Sequence, residues 1–285
     1  MKVRTLNLVV AVLALFALSP SVFAQGVIYG PSTQGRRSPE AMKAAAAAPK
    51  PAYDPKDFSG VFWGRNDSLL MKNPMPALTP DVKRAFDANK PSAGPRAVVP
   101  ALGNDPIGRC DPVGYPRNLW LNTRSFEFVQ TPAKIVQIFE WTHATREIIM
   151  DGKLPEDPDP RWYGYAVGHW EGNTLVVNSK GYDERTWLDS LGNPHSEGME
   201  LKERWSHPDA ETVTVTMTLK DPKYYQQPWA GGVQTFKLQL PKNVTVLEEA
   251  YCVPSEEESF NANTRNVAGT GKKDAPADLR NQIKQ

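Results

Sequence analysis

The chain lacks an excess of charge of either sign, and it has few of the residues that most often carry catalysis. Its 33 Lys and Arg nearly balance its 32 Asp and Glu, and it has only 4 His and 2 Cys. A balanced charge gives no electrostatic attraction to a polyanion, so we expect no nucleic-acid partner. The sequence also has no P-loop, no GxGxxG after a strand and no GxSxG elbow. We therefore expect the protein to work without a cofactor.

Long apolar runs are confined to the start of the chain. Lys2 and Arg4 precede an apolar stretch that begins at Leu6, and Ala24 ends it at the position that a signal peptidase reads. This pattern predicts a cleavable secretory signal over 1–24, with an apolar core too short to span a bilayer comfortably. The sequence therefore predicts a periplasmic or extracellular protein with no stable membrane insertion.

Cysteine is almost absent, and its use depends on the compartment. An isolated pair, Cys110 and Cys252, usually forms a disulfide in an oxidising environment. Closing so long a loop stabilises a fold by about 4–5 kcal/mol in chain-entropy treatments. A redox or nucleophilic cysteine is the alternative, but neither residue has a CxxC partner or a histidine next to it. We therefore predict a structural disulfide.

Proline is abundant, and its distribution divides the chain. The composition over 25–56 is that of a flexible linker, 57–260 carries the pattern of a single folded domain, and 261–285 is a polar tail that we expect to be disordered. The spacing predicts one short helix over 79–90. The Pro-rich stretch 90–120 is predicted to be a long ordered loop.

Short strand-like segments make up the rest of the domain. In "TVTVTMTL", for example, Val213, Val215 and Met217 share one face. Because no helix separates these segments, antiparallel pairing is expected. We predict an all-β fold, an antiparallel up-and-down barrel of about eight to ten strands with a small ligand cavity, and a sandwich is the alternative. The predicted strands are 57–65, 125–132, 134–142, 144–150, 162–172, 174–180, 199–206, 212–220, 232–240 and 244–253.

Several segments of the domain resemble a large uncharacterised family of secreted bacterial proteins. The resemblance rests on "DFSGVFW", "FEWTHATREIIMDG", "GHWEGNTLVVNSKGYDERTWLD" and "PHSEGMELKERW", and it covers about 57–260. It implies a fold and an exported location more than a reaction. The opening strand and the meander are also loosely similar to lipocalin-like barrels.

The segment "EWTHATRE" gathers ionisable residues at a predicted hairpin. Glu140, His143 and Arg146 there could supply a base, a proton shuttle and an anion clamp. The alternative is an exposed hairpin with a salt bridge on its rim.

The segment 183–198, "DERTWLDSLGNPHSEG", is longer than most connections in compact domains. We predict a folded loop over one end of the barrel, with Asp189 and His195 directed at the cavity as catalytic groups. Asp183, Arg185 and Trp187 are candidate ligand-binding residues of this loop. In the alternative, His195 only caps a turn.

The strand "RWYGYAVGHWEG" offers a third candidate element. Tyr163 and Tyr165 share one face and are candidate ligand-binding residues beside Arg146, although core packing is the commoner explanation of such a pattern. Two histidines and an acid could in principle bind zinc or iron. Because His143 and His195 have no HExxH or other tight ligand spacing, we predict no metal site.

These features together favour an exported small-molecule-binding β-barrel. A cofactor-independent lyase, isomerase or hydrolase is the catalytic form of this hypothesis, with His143 and His195 transferring protons and Glu140 or Asp189 orienting them. A non-catalytic periplasmic ligand carrier, or an envelope interaction protein, is the alternative. The sequence leaves the substrate and the oligomeric state open.

Overall fold

The computed structural model describes most of the predicted domain. The described residues are 40, 43, 46, 47, 49, 52–64, 74–98, 102–121, 125–240, 242 and 245–256. The predicted signal, most of the linker and the predicted tail lie outside them. Over the described part of the chain, no helix is both long enough and apolar enough to cross a membrane.

The described elements are mainly β-strands. One α-helix, α1 (Lys83–Ala88), forms within the predicted 79–90 segment and follows a 3₁₀ turn at Pro80–Val82. Two further 3₁₀ turns, Pro106–Arg109 and Arg117–Trp120, order the Pro-rich stretch. The strands are β1 (Gly60–Trp63), β2 (Phe126–Gln130), β3 (Lys134–Phe139), β4 (Thr145–Met150), β5 (Tyr165–Glu171), β6 (Thr174–Lys180), β7 (Glu200–Asp209), β8 (Thr212–Lys220), β9 (Trp229–Ala230) and β10 (Gln234–Leu238).

The strands close into a barrel, and this confirms the predicted barrel over the sandwich. Strands β1 to β8 follow one another around the wall, and β10 pairs with both β8 and β1 to close a ring of nine strands. The short β9 adds to β8 outside this ring. Closure removes the exposed edges that an open sheet would carry.

The barrel is not purely antiparallel, so this part of the prediction is wrong. Strands β4 and β5 run parallel, with Ile148 opposite Ala166 and Met150 opposite Gly168. Strand directions can alternate around a closed ring only when the number of strands is even, so a ring of nine needs a parallel pair. The connection 151–164 must consequently run back along the wall before β5 begins.

The predicted last strand, 244–253, is also wrong. None of its described residues belongs to a strand of the ladder, and Ala250 forms an isolated bridge with Trp141. The ladder has no place for them, because β10 already occupies the position between β8 and β1. The segment instead lies against the β3–β4 hairpin, where the Thr142 amide donates to the Ala250 carbonyl.

Aromatic rings occupy the centre of the barrel. In most strands alternate residues are buried, as the pattern predicts for Val213, Val215 and Met217 of β8. Ring centroids lie 4.9 Å apart for Phe126 and Phe236 in an edge-to-face arrangement. The other buried aromatic residues of this cluster are Phe58, Phe62, Tyr115, Trp120, Phe128, Phe139, Tyr182, Trp205, Tyr225 and Trp229.

The predicted disulfide is present. Cys110 and Cys252 are bonded across a sequence separation of 142 residues. The bond joins the segment before β2 to the segment after β10. These two segments, which both lie outside the strand ladder, are therefore tied to each other covalently.

Candidate functional site

The parallel pair creates a roofed cleft on the outside of the barrel. The segment between β4 and β5, residues 151–164, is named the crossover here. Its last turn is anchored to the end of β6: the Arg161 amide donates to the Gly181 carbonyl, and the Asp183 amide donates to the Arg161 carbonyl, both at 3.0 Å. The Lys180 ammonium donates to the Glu156 carbonyl at 2.8 Å. These bonds hold the crossover at a fixed position over the wall.

Gly164 allows the crossover to approach β6 closely. It has a φ of +63°, and a Cβ atom there would lie 2.9 Å from the Lys180 carbonyl oxygen. Only glycine meets both conditions without strain. The chain can therefore turn directly from the crossover into β5.

The cleft beneath the crossover has a volume of about 540 Å³. This is within the usual range for small-molecule sites. Ile149 lies on its floor with 43% of its surface exposed, although most large apolar residues of the domain are buried. The lining residues are Thr145, Arg146, Glu147, Ile149, Lys153, Leu154, Pro155, Pro160, Arg161, Trp162, Tyr163, Gly164, Tyr165, Ala166 and Val167.

Aromatic residues with stacked guanidinium groups stand on one side of the cleft. The Arg161 guanidinium lies 4.1 Å from the centroid of the Tyr165 ring. The Arg185 guanidinium lies 4.2 Å from the centroid of the Trp162 ring. The Asp183 carboxylate forms an ion pair with Arg185 at 2.5 Å. Such stacking restricts the motion of both rings and both cations.

The charges at the cleft are unequally compensated. Glu147 pairs with Lys134 at 2.5 Å, and Arg146 pairs with Glu203 at 2.5 Å. Lys153 and Arg161 are exposed, and no carboxylate of the described residues forms an ion pair with either. The lining therefore carries two cations that form no ion pair with the described carboxylates.

Arg146 extends from the cleft wall into a buried polar network. Its guanidinium binds both carboxylate oxygens of Glu203, which also accepts hydrogen bonds from Tyr115 at 2.6 Å and from the Trp205 indole at 2.9 Å. Burial alone would lower the pKa of Arg146, but the Glu203 carboxylate raises it above its usual value. Burial and the same carboxylate raise the pKa of Tyr115. The network is therefore a fixed ion pair.

His195 is fully buried within the 183–198 loop. Its Nε2 lies 2.7 Å from the Thr186 hydroxyl, and its Nδ1 lies 3.1 Å from the Ser196 carbonyl. Asp221 accepts from the amide and the hydroxyl of Ser196 at 2.7 and 2.8 Å and so fixes this turn. Burial lowers the pKa of His195, against opposing effects of the Ser196 carbonyl and Asp221.

Asp189 and Trp187 are also used inside the loop. The Asp189 carboxylate accepts from the Leu191 and Asn193 amides and from the Asn193 side chain, and burial raises its pKa. Trp187 is buried, with the Arg117 guanidinium 5.6 Å from its ring centroid. Both side chains therefore stabilise the packing of the loop.

His143 lies at the tip of the β3–β4 hairpin, apart from His195. Its Nε2 is 3.0 Å from the Glu248 carbonyl, and its ring lies 5.0 Å from that of Tyr251. The Glu140 carboxylate accepts from the Ser125 amide at 2.8 Å. The two imidazoles share no partner, so the structure does not bring the two predicted proton-transfer groups together.

The cleft gathers three of the six predicted ligand-binding residues: Arg146, Tyr163 and Tyr165. Asp183 and Arg185 reach its edge through Trp162, whereas Trp187 belongs to the loop packing. The sequence reasoning missed Lys153, Arg161 and Ile149. A Pro-rich connection that carries cations and a tryptophan between two strands is the signal that could have identified them.

Comparisons with known proteins add no assignment. No protein-family model matches this chain, and no curated protein matches it. Within the described ranges, no group of three or more His, Cys, Asp or Glu side chains is placed to hold a metal ion.

The burial of His195 predicts a pH dependence of stability. Because the folded state holds its pKa below the usual value of 6.5, the unfolded chain takes up a proton first as the pH falls. The free energy of unfolding should therefore fall below about pH 6.5, by at most about 1.4 kcal/mol per pH unit. Urea titrations of the wild type and His195→Gln between about pH 7 and about pH 5 measure this.

Comparison with His195→Gln separates the contribution of His195 to the pH dependence from the contributions of nearby acids. The raised pKa of Asp189 acts in the opposite direction, since it favours the folded state as the pH falls, but the variant retains it. The wild type should lose more stability than the variant over the same pH range. Parallel profiles for the two proteins would refute the assignment.

Proposed function

We propose that this protein is an exported, non-catalytic small-molecule-binding β-barrel whose binding site is the cleft beneath the crossover. The observation that carries the proposal is the cleft itself, in which an exposed apolar floor lies under a roof that backbone hydrogen bonds hold in place. A preformed concave site of this kind binds ligands at a low ordering cost.

The contacts of the histidines favour binding over acid/base catalysis. A proton-transfer pair needs hydrogen-bond reach or a single bridging water. His195 is bonded to Thr186 and Ser196 in a sealed loop, and His143 is bonded to Glu248 at a hairpin tip. Neither lines the cleft.

Export is part of the proposal. The pattern of residues 1–24 predicts a secretory signal, and a disulfide such as Cys110–Cys252 persists mainly in oxidising compartments. The resemblance to a family of secreted bacterial proteins supports the same location.

A variant that fills the cleft tests the site. Ile149→Trp places a larger ring over the floor, whereas Val129→Trp makes a matched change at a β2 residue that is 41% exposed and does not line the cleft. We expect ligand-observed NMR with a panel of small aromatic fragments to find binders of the wild type. Ile149→Trp should weaken these binders at least about tenfold, and Val129→Trp should leave them unchanged.

Two results would refute the proposal. One is the absence of any fragment that binds the wild type. The other is binding that Ile149→Trp and Val129→Trp affect equally, because such binding would not involve the cleft.

A further inference from the structure

We infer that the ligand of the cleft is a small aromatic carboxylate, in which a flat apolar body carries one anionic group. This inference rests on the proposed function and names the chemical class that the same site accepts.

The flat apolar body follows from the walls and floor of the cleft. Trp162 and Tyr165 contribute rings to the lining, and Ile149, Leu154 and Val167 contribute aliphatic surface. Arg161 and Arg185 hold the two rings by stacking. Rings that are already fixed lose little conformational freedom when a planar ligand packs against them.

The anionic group follows from the charge balance. The acid in the lining, Glu147, is already paired with Lys134. The four acids of the crossover, Asp151, Glu156, Asp157 and Asp159, are exposed and are not part of the lining. The uncompensated charges of the lining are therefore those of Lys153 and Arg161, which would attract an anion and repel a cation.

Arg161 has the geometry for a carboxylate. Its guanidinium stacks on the face of Tyr165, and a guanidinium in this position keeps the N–H groups of its edge available for two parallel hydrogen bonds. Its backbone is fixed at both the amide and the carbonyl by the end of β6. The donor group is therefore oriented before the ligand arrives.

Two probes with the same rings and different charge test the ligand class. Sodium naphthoate and naphthalenemethanol are titrated by calorimetry into the full chain, at low and at high salt. We expect the wild type to bind naphthoate at least about fivefold more tightly than the alcohol, the range of a charge-assisted hydrogen bond that solvent partly screens. The preference should shrink at high salt.

Variants assign the preference to Arg161. Arg161→Gln removes both the charged donor and the group stacked on Tyr165, so it should weaken both probes and bring the naphthoate affinity down to that of the alcohol. The ratio of the two affinities is therefore the readout. Arg84→Gln removes an exposed cation of α1 that does not line the cleft, and it should preserve the preference.

The remaining outcomes separate the two proposals. In one outcome, the wild type binds the alcohol, and Ile149→Trp abolishes this binding. If naphthoate is then not preferred, or if Arg161→Gln retains the preference, the carboxylate class is overturned and the cleft remains the binding site. If neither probe shows binding that is sensitive to Ile149→Trp, both the ligand class and the proposed function are overturned.

Discussion

Replacing Glu203 with leucine is expected to lower the free energy of unfolding by about 3–5 kcal/mol. Glu203 is fully buried and binds the Arg146 guanidinium, the Tyr115 hydroxyl and the Trp205 indole. Its removal leaves a buried cation without a counter-charge and two buried donors without an acceptor, and each of these is costly. Chemical denaturation monitored by tryptophan fluorescence measures the loss.

Two controls separate the buried charge from other effects of this substitution. The double variant Arg146→Met/Glu203→Leu removes both charges and should recover at least about 2 kcal/mol of the loss. Glu147→Gln breaks the exposed Lys134–Glu147 pair on the neighbouring strands and should change stability by less than about 1 kcal/mol. A loss from Glu203→Leu no larger than that from Glu147→Gln would contradict the buried-pair interpretation.

Removing the disulfide should have an effect of similar size. Cys110→Ser/Cys252→Ser opens a loop whose ends are 142 residues apart, and chain-entropy treatments give about 4–5 kcal/mol for closing such a loop. The segment 245–256 belongs to none of the ten strands, so no strand ladder holds it to the barrel. We expect lower denaturation midpoints for the variant, and dithiothreitol should lower the wild type to the same value.

The double serine variant supplies its own control. Reductant should not change its stability, because it has no bond to break. If reductant changes the stability of the wild type by less than about 1 kcal/mol, the crosslink contributes little, and the segment after β10 can detach without weakening the barrel.

Local patterns predicted most strands, but they could not predict their directions. Alternation located β8, and turn signals separated β2 from β3, because side-chain period and turn chemistry are local properties. The direction of β5 depends on the number of strands in the closed ring, which no single segment determines. The strand predicted over 244–253 was wrong for the same reason, since the position beside β1 is filled by β10.

The candidate site was predictable only in part. Tyr165 and Arg146 stood out as unusual residues in strand-like segments, but the cleft depends on the parallel pair that the sequence did not indicate. Glu203 could have been identified, because in "MELKERW" it alternates with Leu201 and Trp205 on the apolar face. An acid on such a face indicates a buried partner.

The two histidines were identified from the sequence, but their environment was not. Residue type suggested that His143 and His195 are catalytic groups, because imidazole is the usual proton shuttle near neutral pH. Whether such a group is accessible depends on tertiary packing, and here Thr186 and Ser196 enclose His195. A sequence therefore shows which residues could carry out proton transfer, but it does not show whether the fold leaves them accessible.

The crossover has a consequence for how this protein could diversify. Nearly all the ladder bonds that close the ring come from the strands, and the one bond from 151–164 is that of the Asp151 amide to the Gly168 carbonyl. Substitutions in this segment, other than at Gly164, can therefore change the shape and charge above the cleft at little expense to the scaffold. Homologous barrels with exchanged crossovers should keep their thermal stability while they differ in the molecules that they accept, so ligand preference would evolve separately from folding.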